Sequence, residues 1–511
     1  MTFISKSRFV SGVQCEKKLF FDLYRKDLKS AITKRQEDLL NNGNEVGILA
    51  QSLFPDGEDA SPDSYFDFSD AVRKTTQWIS EGVKTIYEAA FFYDNVLAAL
   101  DIFHAENGEC WAIEVKSSTS LKNYHITDAA LQYWVMDQSR HKPDKFFLMY
   151  VNANYIREGH IDSKAFFKLV DITKVIISKQ EWVGEQLNKF KKLDGKSEPE
   201  KEIGIHCKNP FACEYIQHCW EHIPKNSVFD ISSARGKDWK LYNLGISRIE
   251  DIPDEISLNH RQRVQVEGVK RGASFIDKNA IDIFLKSWNF PLFFLDFETI
   301  FPAIPILDRT SPYQQIPFQY SLHIADSKNS DLVHKEFLAI PLHFHAKAII
   351  KDPFRTIPTK DEEIEDPRKS LIEQLKKDIG PSGSIVAYNA SFEKNVLKDL
   401  ALAFPEDKIF LNGLIHRFVD LLLIFRKAWF YKPEMGSSVS IKSVLPAIAP
   451  EFSYKDLEIA NGGDASTTFY SMVSGTFEGK EEEIRNQLLK YCKRDTEGMV
   501  VIWKEMLDRV I

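Results

Sequence analysis

The sequence predicts an α/β protein of two domains joined by a helical linker. Three observations lead there. At 511 residues the chain exceeds what one hydrophobic core organises. Two separate sections, one around 84–153 and one from 290 onward, interleave strand-like runs with helical patterns. Between them, the lysine-rich "NKFKKLDGKSEPEKE" (188–202) and short helical patterns around turns (238–271) interrupt the alternation. The expected boundaries are 1–228, 229–285 and 286–511.

The bulk numbers limit the function classes. Hydrophobic residues at 43% and charged residues at 27% fit a globular protein. A net charge of −8 argues against a general basic coat for nucleic acid but leaves a local basic groove open. No run approaches 18 apolar residues and the first residues lack an apolar h-region, so a cytoplasmic protein without membrane contact is expected. Six cysteines in a chain of this size point to thiols or a metal site, not a disulfide framework.

Residues 1–54 read mainly as helix, with Cys15 in the first one. Residues 84–118 alternate like strands, 126–138 read as a helix, and "KFFLMYVNA" (145–153) as a buried strand. Within "HAENGECWAIEVKSS" (104–118), Asn107-Gly108 favours a two-residue type I′ hairpin. Counting outward from that turn sets Asp101 opposite Glu114, and alternation puts Lys116 on the face of Glu114. Directly opposed carboxylates repel. A divalent ion between them converts the repulsion into ligation by hard oxygens, and Lys116 can stabilise charge on a phosphate. A lone Glu-x-Lys is ordinarily a charged strand face; the opposed Asp101 sets this one apart.

"ALDIF…AIEVKSS" resembles the D…(D/E)-x-K core of the PD-(D/E)XK nucleases, especially their RecB-like branch. That resemblance implies a restriction-endonuclease-like fold, a glutamine on the following helix (Gln132) and an upstream acid (Glu45) completing a Mg²⁺ or Mn²⁺ site with Asp101 and Glu114. The family's Gln-x-x-x-Tyr spacing is absent, since Met136 stands four beyond Gln132. Cys15 with the triplet Cys207, Cys213 and Cys219 resembles the iron–sulfur-clasped members of the branch, implying a [4Fe–4S] cluster. Four thiolates also suit Zn²⁺, His206 or His218 can replace a ligand, and unliganded thiols remain open. Cys110 and Cys492 read as buried small hydrophobes.

Residues 238–271 read as short helices; a helix-hairpin-helix contact with DNA near Arg261, Arg263 and Lys270 competes there with a plain linker. Beyond it, "FFLDFETI" places Asp296 and Glu298 on one face of a buried strand. "SIVAYNASFEKNVLKDL" (384–400) reads as a strand entering a helix that carries Glu393. "NQLLKYCKRDTEGMVVIW" (487–503) reads as a helix with Tyr491 and Asp495 on one face. Residues 351–370, charged and with three prolines, read as a solvated insertion or loop. The acidic stretches resemble the motifs of the DEDD exonucleases of the RNase H-like fold, in the tyrosine subclass. The resemblance implies metal ligation by Asp296, Glu298 and Asp495, with Tyr491 positioning the attacking water. Glu393 stands where that family has Asp. Asp420, ending another apolar strand, can assist or merely cap. The order of parts resembles an uncharacterised bacterial family found C-terminal to RecB-like nuclease domains.

The resemblances together imply a metal-dependent nuclease acting on DNA in preference to RNA, single-stranded or from ends, in repair, processing or defence, with a possible protein partner there. One domain serving as a degenerate nucleic-acid-binding module, or a non-enzymatic adaptor, is the alternative.

Overall fold

The computed structural model describes residues 3–31, 34–62, 68–341, 366–452 and 454–510, with backbone alone for 34–42. It is a mixed α/β protein, with three sheets among the described residues. Two compact units emerge. The first comprises residues 1–222 and 302–313; the second comprises 223–301 and the described residues beyond 313. The helical stretch expected as a linker thus clusters with the second unit, and 302–313 with the first.

The first unit is organised by a seven-stranded sheet. Its path runs β2 (Glu58–Asp59), β3 (Thr85–Tyr93), β4 (Val96–Glu106), β5 (Glu109–Lys116), β6 (Lys145–Val151) and β7 (Phe167–Asp171), and β1 (Ile4–Ser5) pairs with β4 off this path. β3, β4 and β5 are antiparallel neighbours, whereas β5 and β6 run parallel. The parallel step needs a crossover, which the helix Asn123–Gln138 supplies. Ala129, Ala130, Leu131, Tyr133, Val135 and Met136 of that helix are all buried, because it packs between the sheet and further helices. A second core on the other side gathers Val46, Ile102, Ile113 and Met149 with Ala303 and Ile304.

The second unit holds a five-stranded sheet ordered β11 (Leu332–Leu338), β10 (Ile316–Ala325), β9 (Leu292–Ile300), β12 (Ser384–Ala387) and β13 (Phe418–Asp420), with a two-stranded pair of β8 (Phe275–Ile276) and β14 (Phe430–Tyr431). β9 is central, antiparallel to β10 and parallel to β12. Its run Leu292–Leu295 is buried on both faces, as a strand flanked by partners on both edges requires. The helix Ser391–Ala403 follows β12, and the 30-residue helix Glu481–Val510 packs on β9 and β10.

Two expectations change. Residues 351–365 of the charged insertion (351–370) lie outside the described residues, but its last proline, Pro367, opens the helix Pro367–Asp378. Proline fits the first helical position because its missing N–H has no partner there anyway, and the Asp366 side chain caps the same turn. Cys15 is not helical: it is the extended residue between the helices Lys6–Gln14 and Glu16–Tyr24.

Candidate active sites

The first site grows from the β4–β5 hairpin. Asn107 and Gly108 both adopt positive φ (54° and 81°), the requirement of a type I′ turn. The ladder then pairs Glu106 with Glu109 through to Ile102 with Ile113 in the expected register. It stops one pair short of Asp101 and Glu114. Asp101 Oδ2 instead accepts the Val115 amide at 2.5 Å, and Glu114 pairs with Leu148 of β6.

The interruption has a local cause on the opposite edge. Between β3 and β4 the ladder skips the pair Glu88–Asp101 without changing register, and Glu88 takes a left-handed φ of 51°. The inward alternation slips there on both strands: Ile86 and Phe103 join the same core as Ala89 and Leu100. Such an irregularity re-aims side chains. It aligns Glu88, Asp101 and Glu114 across three neighbouring strands.

Two lysines compensate this row. Lys116 Nζ donates to Glu114 Oε1 at 2.7 Å and to Asp128 Oδ2 at 2.7 Å. Lys6 Nζ reaches both oxygens of Glu114, at 3.0 and 3.2 Å; pairing of β1 with β4 at Val96 and Leu97 delivers it. Burial alone would raise Glu114, but Lys116 and Lys6 outweigh it and hold the carboxyl at about 2. Burial with Glu114 lifts Asp101 to about 8, and burial lifts Glu88 to about 6. Both lysines are held more firmly protonated than usual, their acidic neighbours outweighing burial. Gln132 is fully buried one helical turn beyond Asp128; its Nε2 lies 3.5 Å from Asp128 Oδ1 and its Oε1 has no partner. Asp101, Glu114, Lys116 and Gln132 therefore meet. Glu45 sits half-buried beside Val46 in the helix Lys34–Gln51. Lys6, Glu88 and Asp128 were not singled out in the sequence. Tyr313 Oη donates to the Ser117 carbonyl at 2.5 Å, pinning the chain just beyond Lys116.

The thiols of Cys15, Cys207, Cys213 and Cys219 are all free and line one pocket with Phe21 and His206. His218 packs its ring on Phe21 at 5.3 Å and lies 3.8 Å from Glu198. Gln14 Nε2 donates to the carbonyls of His206 (2.7 Å) and Phe211 (2.8 Å), tying the cysteine loop to the first helix. Burial raises the Cys213 thiol to about 11. Thiolates around one tetrahedral Zn²⁺ stand about 3.8 Å apart. No three of these four thiols fall within 4.8 Å of one another. Cys110 is half-buried, not buried as expected.

The second site lies in the second unit. Asp296 and Glu298 pair with Ser321 and Gln319 of β10, and an irregularity between Pro317 and Gln319 adjoins Glu298. Phe297, between them, points into the opposite core with Tyr320. The helix Glu481–Val510 presents Tyr491, Cys492 and Asp495, all buried. Tyr454 Oη donates to Asp495 Oδ1 at 2.6 Å, and Lys442 Nζ donates to Tyr491 Oη at 3.2 Å and to the Ala460 carbonyl at 2.6 Å. Glu393 is buried with Oε2 unpartnered. Burial and mutual repulsion push Asp296, Glu298 and Glu393 well above ordinary carboxylates, and burial raises Asp495. Burial lowers Lys442, against the pull of Asp495, Glu298 and Asp296. Among the described residues, the His, Cys, Asp or Glu ligand atoms grouped within 4.8 Å of one another belong to Asp296, Glu298 and Cys492. Asp420 accepts the amides of Asn389 (3.0 Å) and Leu422 (3.1 Å). Arg261 donates to the Ser437 carbonyl, Arg263 to that of Leu258 and Lys270 to that of Ile252.

Comparison with known proteins extends part of this picture. Residues 293–440 match a domain of unknown function, DUF2779. The chain is 30% identical over 222 residues to the uncharacterized protein MG366 homolog of Mycoplasma pneumoniae, covering 41% of this chain and 31% of that protein. It is 25% identical over 295 residues to the uncharacterized protein UU173 of Ureaplasma parvum, covering 54% and 40%. It is 28% identical over 256 residues to the uncharacterized protein MG366 of Mycoplasma genitalium, covering 44% and 36%. The matched region is thus well under half the length of each of these relatives.

Proposed function

We propose that the protein is a metal-dependent nuclease hydrolysing phosphodiester bonds, with DNA favoured and single strands or ends as substrate. The observation that carries the reading is the convergence of Asp296 and Glu298 on β9 with Tyr491 and Asp495 on one helix face, Glu393 buried nearby. Three carboxyls pushed above their usual range by one another and by burial call for a cation. The carboxylates alone are hard oxygen donors, which suit Mg²⁺ or Mn²⁺ unless a softer ligand joins them. Such ions, when bound, would supply the positive charge that attacking and leaving oxygens need. Tyr491 Oη orients the attacking water, Lys442 fixes that hydroxyl, and Tyr454 fixes Asp495. In the first site, Lys116 offers an ammonium to the phosphate while Asp101 and Glu114 offer ligands. The four free thiols that line one pocket are assigned to a [4Fe–4S] cluster on the resemblance to iron–sulfur-clasped nucleases, with Zn²⁺ as the alternative. No helix among the described residues is long and apolar enough to cross a membrane.

A second reading is supported by the first site alone. Glu114 is held by two lysines, and the close grouping of three ligand atoms occurs at the second site. On that reading the first unit binds nucleic acid and the second cuts it. Mn²⁺-dependent degradation of labelled strands by Lys116→Ala and Asp296→Ala separates the two: loss only with Asp296→Ala selects the binding-module reading.

A further inference from the structure

We infer that Cys492 is a ligand of the site on β9, so that this site takes a thiophilic divalent ion such as Zn²⁺ or Co²⁺ in preference to Mg²⁺. The inference rests on the proposed placement of a divalent ion at Asp296 and Glu298. In the sequence, Cys492 lies between Tyr491 and Asp495 in Tyr-Cys-Lys-Arg-Asp. Three helical residues before Asp495, it shares that residue's face. The chain therefore aims a thiol where the acids converge.

The distances fit ligation. Cys492 Sγ lies 3.7 Å from Asp296 Oδ2. A tetrahedral ion with sulfur at about 2.3 Å and oxygen at about 2.0 Å holds those two atoms about 3.5 Å apart. One atom each from Asp296, Glu298 and Cys492 falls within a 4.8 Å group. Glu393 adds an independent observation. It is 2% exposed, its Oε2 has no partner, and it feels the charge of Asp296. A buried carboxylate oxygen without a donor is costly unless something positive meets it.

Ligand chemistry then decides the ion. Mg²⁺ demands oxygen ligands in near-octahedral geometry and sheds water reluctantly. A thiolate beside two carboxylates suits Zn²⁺, Co²⁺ or Fe²⁺ better. Binding breaks the Cys492 S–H bond, forms a sulfur–metal bond and releases the proton to solvent. Without an ion, the same thiol is a weak donor to Asp296, whose carbonyl lies 3.8 Å away.

Anaerobic Co²⁺ titration of the full chain tests this through the sulfur-to-cobalt charge-transfer band in the near ultraviolet. The four-cysteine pocket contributes equally to every variant and cancels in difference spectra against Cys492→Ser. Wild type should gain a band that Cys492→Ser lacks. Asp296→Asn should lose the same band although its thiol is intact. Zn²⁺ affinity should fall at least about tenfold in Cys492→Ser, and equimolar Mg²⁺ should not displace Co²⁺. An identical band in wild type and Cys492→Ser overturns the thiol ligand, as does displacement by equimolar Mg²⁺. If Asp296→Asn leaves Co²⁺ uptake unchanged, the ion site itself fails, and the functional reading of the second unit with it.

Discussion

Replacing Asp101 by Asn probes how the first acidic row is held. Burial, with Glu114 alongside, lifts the Asp101 carboxyl from 3.8 to about 8, against the pull of Lys6 and Lys116. A carboxyl raised on folding gives its full contribution below its unfolded value, and that contribution is lost as pH rises through about 8. Each pH step across this window is worth about 1.4 kcal/mol, on the order of 5 kcal/mol in all. Asp101 keeps some solvent contact, so roughly half of that is the reasonable expectation. For a unit of this size a kcal/mol moves the melting temperature by about 2–4 °C. Asp101→Asn should therefore melt roughly 5–10 °C above wild type at pH 8.5 in metal-free buffer, and close to it at pH 4.5. Thermal unfolding by circular dichroism reads this directly. Added Mn²⁺ should narrow the gap at pH 8.5, because only wild type gains a ligand. An equal gap at both pH values would refute the protonation argument.

Removing Lys6 with Lys6→Ala leaves Glu114 with Lys116 alone; denaturant unfolding at pH 7 should show a loss of about 3 kcal/mol, as for breaking a buried ion pair. Tyr454→Phe deletes the 2.6 Å bond to Asp495, a loss of about 1–3 kcal/mol. Calorimetry should show Mn²⁺ binding weakened roughly tenfold or more with the circular dichroism spectrum unchanged. Cys207→Ser should abolish the broad visible absorbance of an iron–sulfur cluster in anaerobically purified protein and expose the 200–220 region to protease; retained absorbance would count against the four-cysteine assignment.

Much of the fold was legible because its signals are local. Asn107-Gly108 set a hairpin register that holds from Glu106–Glu109 to Ile102–Ile113. The four-residue step from Tyr491 to Asp495 placed both on one helix face. What local counting misses is irregular or distant. The slip at Glu88 and Asp101 depends on a left-handed residue in a strand, which no alternation pattern announces. Lys6 reaches Glu114 across 108 residues of sequence, brought there by a two-residue strand. Lys442 and Tyr454 enter the second site from segments without motifs of their own. Asp128 stood one turn before Gln132 and was findable from that spacing. Pro367 looked like a loop breaker, yet with Asp366 before it the pair reads as a capped helix start.

The most direct test of the central claim is cleavage of end-labelled single-stranded DNA by the purified full-length chain with Mn²⁺, run beside Lys116→Ala and Asp296→Ala. The account predicts metal-dependent cleavage by wild type that Lys116→Ala and Asp296→Ala each diminish, whereas loss confined to Asp296→Ala selects the binding-module reading. Absence of cleavage of DNA and of RNA by folded, cluster-intact wild type, or undiminished cleavage by both variants, would contradict it.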